Sequence, residues 1–470
     1  MSLSSSVSKE TKTEWTSLLG GGRAKVRSLY QRAKRITPDG RLVILARALR
    51  TFGYGFTSVL LGVMLTNAGV STVRIGLLLG VAALGSITFS IVMGMYADRI
   101  GRKRSLVVSA LLMMGTGYVF AFTQWYPLLL IAAFCGTISP STNDNTPFSG
   151  IEQAILAQTS RAKHPTALFA LYNLAAQFAG AIGGLAVGLL EVLSHAGIAA
   201  PVGMRYLFLL YGLLAGSTGL LFLRLSPAAE LQTPKEKTSS GSSGTGTSMQ
   251  EGTSTQEVTS TQKPCRVPQQ RKIRGIILKL SSLFALDAFA GGLAVQTILA
   301  IWFRLRFGVS LGSLGLLFFG VNLLAALSFL AAPLLTKRFG LLKTMIVPHF
   351  VSNVFLLLIP FMPAFPLAAA FLLLRQSLSK LDVPARQSYT MALVSPEERT
   401  AAASCTTVAR SVAVSASPLV SGFMLGGPLL VLGLPILLAS CIGVGYDATM
   451  WRVFRHVPLH QSLKRESKDP

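Results

Sequence analysis

Gly94-Met95-Tyr96-Ala97-Asp98-Arg99-Ile100-Gly101-Arg102-Lys103-Arg104 separates two almost uninterrupted apolar runs, Ile75–Met95 and Ser105–Phe122. Each run is long enough to cross a hydrocarbon core of about 30 Å at about 1.5 Å per helical residue. A dense charged turn between two such runs must lie at a membrane face. Its four Lys and Arg residues against one Asp place that face on the cytosolic side.

The whole chain agrees with this reading. Of its 470 residues 51% are hydrophobic and 13% charged, and the mean hydropathy is +0.55. A soluble protein of that composition could not cover its surface with polar groups, so the chain is expected to be an integral membrane protein. Its 43 Lys and Arg exceed 18 Asp and Glu, for a net charge of +25. That surplus sits in short loops and tails between apolar runs, not along one soluble domain, which argues against nucleic-acid binding. Cys135, Cys405 and Cys441 fall in apolar runs and Cys265 in a polar stretch, with neither metal-ligand spacing nor a disulfide framework. Neither a metal nor a cofactor is expected. About 40 polar, basic residues precede the first apolar run, the wrong order for a cleaved leader.

Twelve apolar spans are expected, near 42–64, 73–97, 105–123, 127–150, 166–192, 204–225, 276–302, 312–335, 343–360, 364–391, 400–425 and 428–450. With no water in the bilayer to satisfy backbone groups, each should be helical. This makes the fold class all-α: two pseudo-symmetric six-helix bundles, 42–225 and 276–450. Basic tails at 1–41 and 451–470 flank them, with a short surface helix expected at 24–34. The Ser-, Thr- and Gly-rich segment 226–275 reads as a disordered linker. The first tail carries nine Lys and Arg, and Arg161, Lys163, Lys337, Arg338, Lys343 and Arg399 fall in turns on the same side. Only Arg74, Arg205, Arg304 and Arg306 lie opposite, so both termini are expected in the cytosol.

An internal repeat supports two halves. Gly69–Leu78 and Gly308–Leu317 agree at six of ten positions at an offset of 239 residues. The same offset carries Arg99 onto Arg338 and Gly101 onto Gly340, giving the charged turn a degraded twin.

The ordered pattern G-x-x-x-D-R-x-G-R-K-R over 94–104 resembles the loop between helices two and three of the major facilitator superfamily. The resemblance implies a twelve-helix secondary transporter, similar to the drug-efflux permeases. It also implies that Asp98, Arg99 and Arg102 latch the two halves in the outward-facing state. The chemistry of the loop fits that role. Asp98 is a carboxylate at a membrane face in need of cationic partners. Gly94, one turn earlier, admits a close helix neighbour, and Gly101 permits a tight turn. Glu152, near the cytosolic end of the fourth span, is the expected partner of Arg102. One departure counts against antiport: the Gly-Pro-x-x-Gly-Gly run of the family's drug antiporters reads Ala179-Gly180-Ala181-Ile182-Gly183-Gly184 here, with Gly180 in the proline's place.

Ionisable residues deep in spans are candidates for substrate or proton binding. Asp287 in the seventh span maps onto position 48, between Arg47 and Arg50 of the first. Arg50 and Asp287 are therefore expected to face each other across the pseudo-symmetry axis, either as a salt bridge or as separate substrate and proton sites. The tenth span adds Arg375, Lys380, Asp382 and Arg386, and the eleventh Arg410. The fourth contributes Asp144 beside Asn145, with Glu152 nearer the cytosol. Pro140, Pro147 and Pro384 predict broken or kinked helices whose freed carbonyls line a cavity. The slight excess of deep cations favours an anionic or zwitterionic solute. Five scattered histidines, and the lack of H-E-x-x-H, G-x-S-x-G and P-loop motifs, argue against an enzyme. We expect a plasma-membrane monomer that exports a small solute with proton coupling. The alternatives are proton-coupled uptake and a transport-inactive receptor or scaffold.

Overall fold

The computed structural model describes residues 37–136, 138–139, 147–159, 165–230, 267–393, 399–427 and 432–455. The surface helix expected at 24–34 lies outside them. The first half comprises α1 (Pro38–Asn67), α2 (Thr72–Ile100), α3 (Arg102–Phe122), α4 (Tyr126–Cys135), α5 (Pro147–Thr159), α6 (Pro165–Ala186), α7 (Leu189–His195) and α8 (Ala200–Leu223). The second comprises α9 (Val267–Leu293), α10 (Gln296–Phe307), α11 (Leu311–Phe339), α12 (Leu341–Leu358), α13 (Phe365–Leu378), α14 (Asp382–Leu393), α15 (Arg399–Leu425) and α16 (Leu434–Phe454). Ten stretches among the described residues are long and apolar enough to cross a membrane. The fourth passage is split into α4 and α5 and the tenth into α13 and α14, which completes twelve.

The repeat seen in the sequence is a repeat of structure. Ser71 caps α2 by accepting from the Arg74 amide, and Ser310 caps α11 by accepting from the Ser313 amide, 239 positions on. Gly69 and Gly308 have φ of +76° and +63°, and Gly101 and Gly340 have +105° and +80°. The last pair ends α2 and α11 and starts the next helix within one residue, a turn that a side chain would strain.

Several boundaries differ from expectation, each for a local reason. Helix α1 begins at Pro38, with Thr37 accepting from the Gly40 amide at 3.2 Å and Asp39 in the first turn. Asp39 in turn accepts from the Ser226 amide and hydroxyl at 3.0 and 2.5 Å. Residues 226–230, assigned to the linker from sequence, thus pack on the first half, with a short 3-10 turn at Pro227–Ala229. The helix of the seventh passage starts at Val267, ahead of the apolar crossing stretch, which begins at Gly275 beside the expected 276. The passage breaks between α9 and α10, where the freed Leu293 carbonyl accepts from the Ser421 hydroxyl at 2.8 Å.

Pro38 and Phe454 lie on one face of the molecule, here called the terminal face, because the chain crosses an even number of times. The halves meet toward the opposite, far face. A Cβ on Gly76 in α2 would stand 2.8 Å from Gly422 Cα in α15, and one on Gly315 in α11 would stand 2.8 Å from the Gly184 carbonyl in α6. These two close approaches are repeat equivalents to within a residue. Thr297 in α10 donates to the Ser58 carbonyl in α1 at 2.6 Å. Those positions are 239 residues apart, so the pseudo-twofold axis passes between them.

Candidate functional site

Buried charge gathers in each half on the terminal-face side of these contacts. In the first half, Arg50 from α1 makes a two-pronged bond to Glu152 from α5, at 2.6 and 3.0 Å, and both side chains are fully buried. The Tyr172 hydroxyl from α6 donates to Glu152 at 2.6 Å. The Phe148 ring lies 4.1 Å from the Arg50 guanidinium, and Tyr172 lies 4.0 Å from that of Arg47, a second buried cation. The Arg50 guanidinium thus meets both a carboxylate and an aromatic ring, and this pair is closed to solvent.

The second half holds a larger and looser network. Asp287 from α9 accepts from Arg386 of α14 at 2.6 Å and from Arg410 of α15 at 2.9 Å. Its other oxygen lies 3.3 Å from His349 Nε2, on α12. His349 Nδ1 lies 2.8 Å from Asp447 of α16, which also accepts from Asn353 at 3.1 Å. Arg386 reaches Asp382 at 3.2 Å, one turn earlier on its own helix. An imidazole is therefore held between two carboxylates, with five helices contributing to one charge cluster. The Arg410 side chain is 31% exposed, against 11% for Arg386 and 9% for Asp287.

Two expected pairings are corrected. Arg50 and Asp287 do not neutralise each other, because each finds its counter-charge inside its own half, at Glu152 and at Arg386 with Arg410. Glu152 accepts from Arg50 and Tyr172 instead, and among the described residues a different carboxylate, Glu230, reaches the charged loop. It accepts from the Arg102 and Lys103 amides at 2.7 and 3.0 Å, capping the otherwise unpaired start of α3. Arg102 is buried and Arg99 exposed. Gly94 and Asp98 lie in α2, with their side chains outside the described residues. Asp144, with Asn145 and Pro140, also lies outside them. In the tenth passage Arg375 donates to Gln376 at 3.3 Å, and Lys380 occupies the break between α13 and α14.

His349, Asp447 and Tyr172 were missed from sequence. For the first two the signal was present: an ionisable residue inside an apolar span, the same test that selected Asp287. Nothing about Tyr172 distinguishes it from a core aromatic until the fold brings it to Glu152.

Comparison with known proteins follows this geometry. The family model described as the Major Facilitator Superfamily matches residues 43–418. An uncharacterized membrane protein of Saccharomyces cerevisiae, YJR124C, is 26% identical over 441 residues, covering 89% of this chain and 97% of that one. Among solved structures, a bacterial homologue of the human lysosomal transporter Spinster superposes with a TM-score of 0.65 at 16% identity, over 90% of this chain and 98% of that one. A D-xylose-proton symporter does so with a TM-score of 0.63 at 15% identity, over 89% and 98%. The chain belongs to the major facilitator superfamily, a family of membrane transporters and not a class of enzymes.

Proposed function

We propose that this member of the superfamily is a proton-coupled carrier that moves a small solute by alternating access, acting as a monomer in the plasma membrane with both termini cytosolic. The observation that carries this reading is the division of labour along the helices. Repeat-related glycine contacts join the halves toward the far face, and a charge cluster lies within each half toward the other. Two rigid bodies joined at one end are what a rocking carrier needs. With cytosolic termini, the form described has its extracellular side closed. In the opposite form the 94–104 loop takes over, with Asp98, Arg99 and Arg102 as the latch.

Two directions of net flow fit this machine. Export is suggested by the likeness of the loop to that of drug-efflux permeases. Uptake with a proton is favoured by the second half, where four cations (Arg375, Lys380, Arg386, Arg410) meet three carboxylates (Asp287, Asp382, Asp447). A carrier of the same fold is a proton symporter. Liposomes containing the purified protein and an internal pH dye, challenged with a panel of small solutes, separate these readings. Acidification of the lumen on solute addition indicates symport, and alkalinisation indicates exchange. Transport of a solute with no pH change in either direction would remove proton coupling.

A further inference from the structure

We propose that the second half carries an oxyanion site formed by Arg410, Arg375 and Lys380, opened when Asp287 takes a proton, so that a small carboxylate or phosphate solute binds together with that proton. This rests on the uptake reading above and adds the class of solute.

Charge points to an anion. Arg386 is held by two carboxylates, Asp287 and Asp382, and Asp447 is occupied by His349 and Asn353. Among the described residues Arg410 has Asp287 as its one carboxylate partner at hydrogen-bond distance, and it is more exposed than Asp287, His349, Arg386, Asp382 and Asp447. Arg375 and Lys380 form no ion pair with a carboxylate among the described residues, although both lie in the field of one, Asp287 and Asp382 respectively. The geometry around them points the same way. Arg375 Nε and Ser379 Oγ are buried without a hydrogen-bond partner, and both adjoin the break between α13 and α14 where Lys380 sits. Buried donors left unpaired are costly, and an oxyanion at the break would satisfy them while balancing the surplus cation.

The route of the proton is laid out by distance. His349 Nδ1 faces Asp447 at 2.8 Å and Nε2 faces Asp287 at 3.3 Å. A proton carried on Asp447 passes to Nδ1 as the Nε2 proton passes to Asp287, leaving the imidazole neutral. Asp287 then becomes a neutral acid and releases Arg410, while Asp382 keeps Arg386 in place. The solute oxyanion replaces the lost carboxylate charge, so proton and solute together leave the cluster's net charge unchanged. The groups that face Asp287 are His349 from α12, Arg375 from α13, Arg386 from α14 and Arg410 from α15, with Asp382 paired to Arg386 on α14. Tyr446 and Asp447 face it from α16, with Tyr446 edge-on to His349 at 5.7 Å. Among them, only Asp287 touches both the imidazole and Arg410, which makes it the link between proton and solute.

The test is a melting-temperature titration of the purified full-length protein with two probes, succinate and inorganic phosphate, at about pH 5.5 and about pH 7.5. At least one probe should stabilise the protein, with a half-saturating concentration that rises about tenfold per pH unit as the protonated fraction falls. Succinate alone would indicate a carboxylate solute, and phosphate alone a phosphate. Asp287→Asn should keep only the pH dependence of the probe's own ionisation, since succinate and phosphate each lose a proton within this window, and should lose the additional dependence seen in the unaltered protein. Arg410→Gln should lose the stabilisation, and Arg410→Lys should keep part of it. No stabilisation by either probe, or the same affinity at both pH values in the unaltered protein, overturns the proposal without reference to any variant. Retained binding in a folded Arg410→Gln also overturns it. Proton-linked flux of a neutral solute such as uridine, with no anion binding, would sink the anion site and leave the carrier standing. Anion binding with no flux of any solute would do the reverse.

Discussion

The Arg50–Glu152 and Asp287–Arg386 pairs join the same helices of the two halves, the first passage to the fourth and the seventh to the tenth, with the charges exchanged. Their surroundings give them different work. In the first pair the carboxylate is held by three bonds, two from Arg50 and one from Tyr172. Removing one partner leaves the other buried and uncompensated, a cost of about 3–5 kcal/mol. Glu152→Ala should therefore lower stability by that amount, and Tyr172→Phe by about 1.5–3 kcal/mol for one bond to a charged acceptor. Melting curves in a single detergent measure both, and a Glu152→Ala protein as stable as the parent would remove the structural role. In the second half His349 has a different expected signature. His349→Gln should fold but carry little solute, because Asp287 no longer receives the proton that opens the site, whereas Asp287→Asn should carry solute down its own gradient with no change of lumenal pH. Coupling that persists in His349→Gln would take the proton route away from this residue.

At the level of elements, helix contact is set by glycines whose missing side chains make room for backbone. A Cβ on Gly183 in α6 would be driven into the Phe52 carbonyl of α1, and one on Gly55 into the Gly180 carbonyl of α6. These two helices can approach this closely only while both positions stay bare, which gives Gly183 of the Ala179–Gly184 run a packing role. A Cβ on Gly115 meets nothing within 4 Å. Gly183→Ala should accordingly destabilise by about 1–3 kcal/mol or more. Gly115→Ala should be neutral or stabilising by up to about 1 kcal/mol, through helix propensity alone. Equal melting temperatures for the two variants would refute the packing argument. The breaks in the fourth and tenth passages were legible from Pro140, Pro147 and Pro384. The break in the seventh follows Gly291-Gly292, a breaker signal that went unread, and the hydroxyl that satisfies Leu293 comes from α15.

For the whole molecule, the repeat predicts a motion. The far-face contacts pair equivalent surfaces about an axis between Ser58 and Thr297, so opening that face separates both glycine contacts together. The Ser310 hydroxyl lies 3.4 Å from Glu191, bridging the halves at the far-face rim. Glu191→Cys with Ser310→Cys, joined by a short bifunctional thiol reagent in a background lacking the native cysteines, should reduce solute-driven flux at least about tenfold. A reductant that cleaves the bridge should restore it. Undiminished flux across a verified cross-link would exclude rocking about this contact.

Sequence alone determined the membrane class, the twelve passages, the two-half repeat and the turns at Gly101 and Gly340, because hydropathy, charge asymmetry and backbone conformation are local properties. It also selected most of the buried ions. Which ions pair was decided only by tertiary structure. A carboxylate in an apolar interior is neutralised by whichever cation packing brings within about 3 Å. Linear spacing gives no hint that Arg50 meets Glu152, that Glu230 caps the charged loop, or that His349 bridges Asp287 and Asp447. The stretch 94–104 identifies the machine, and the fold assembles the site that would choose its cargo.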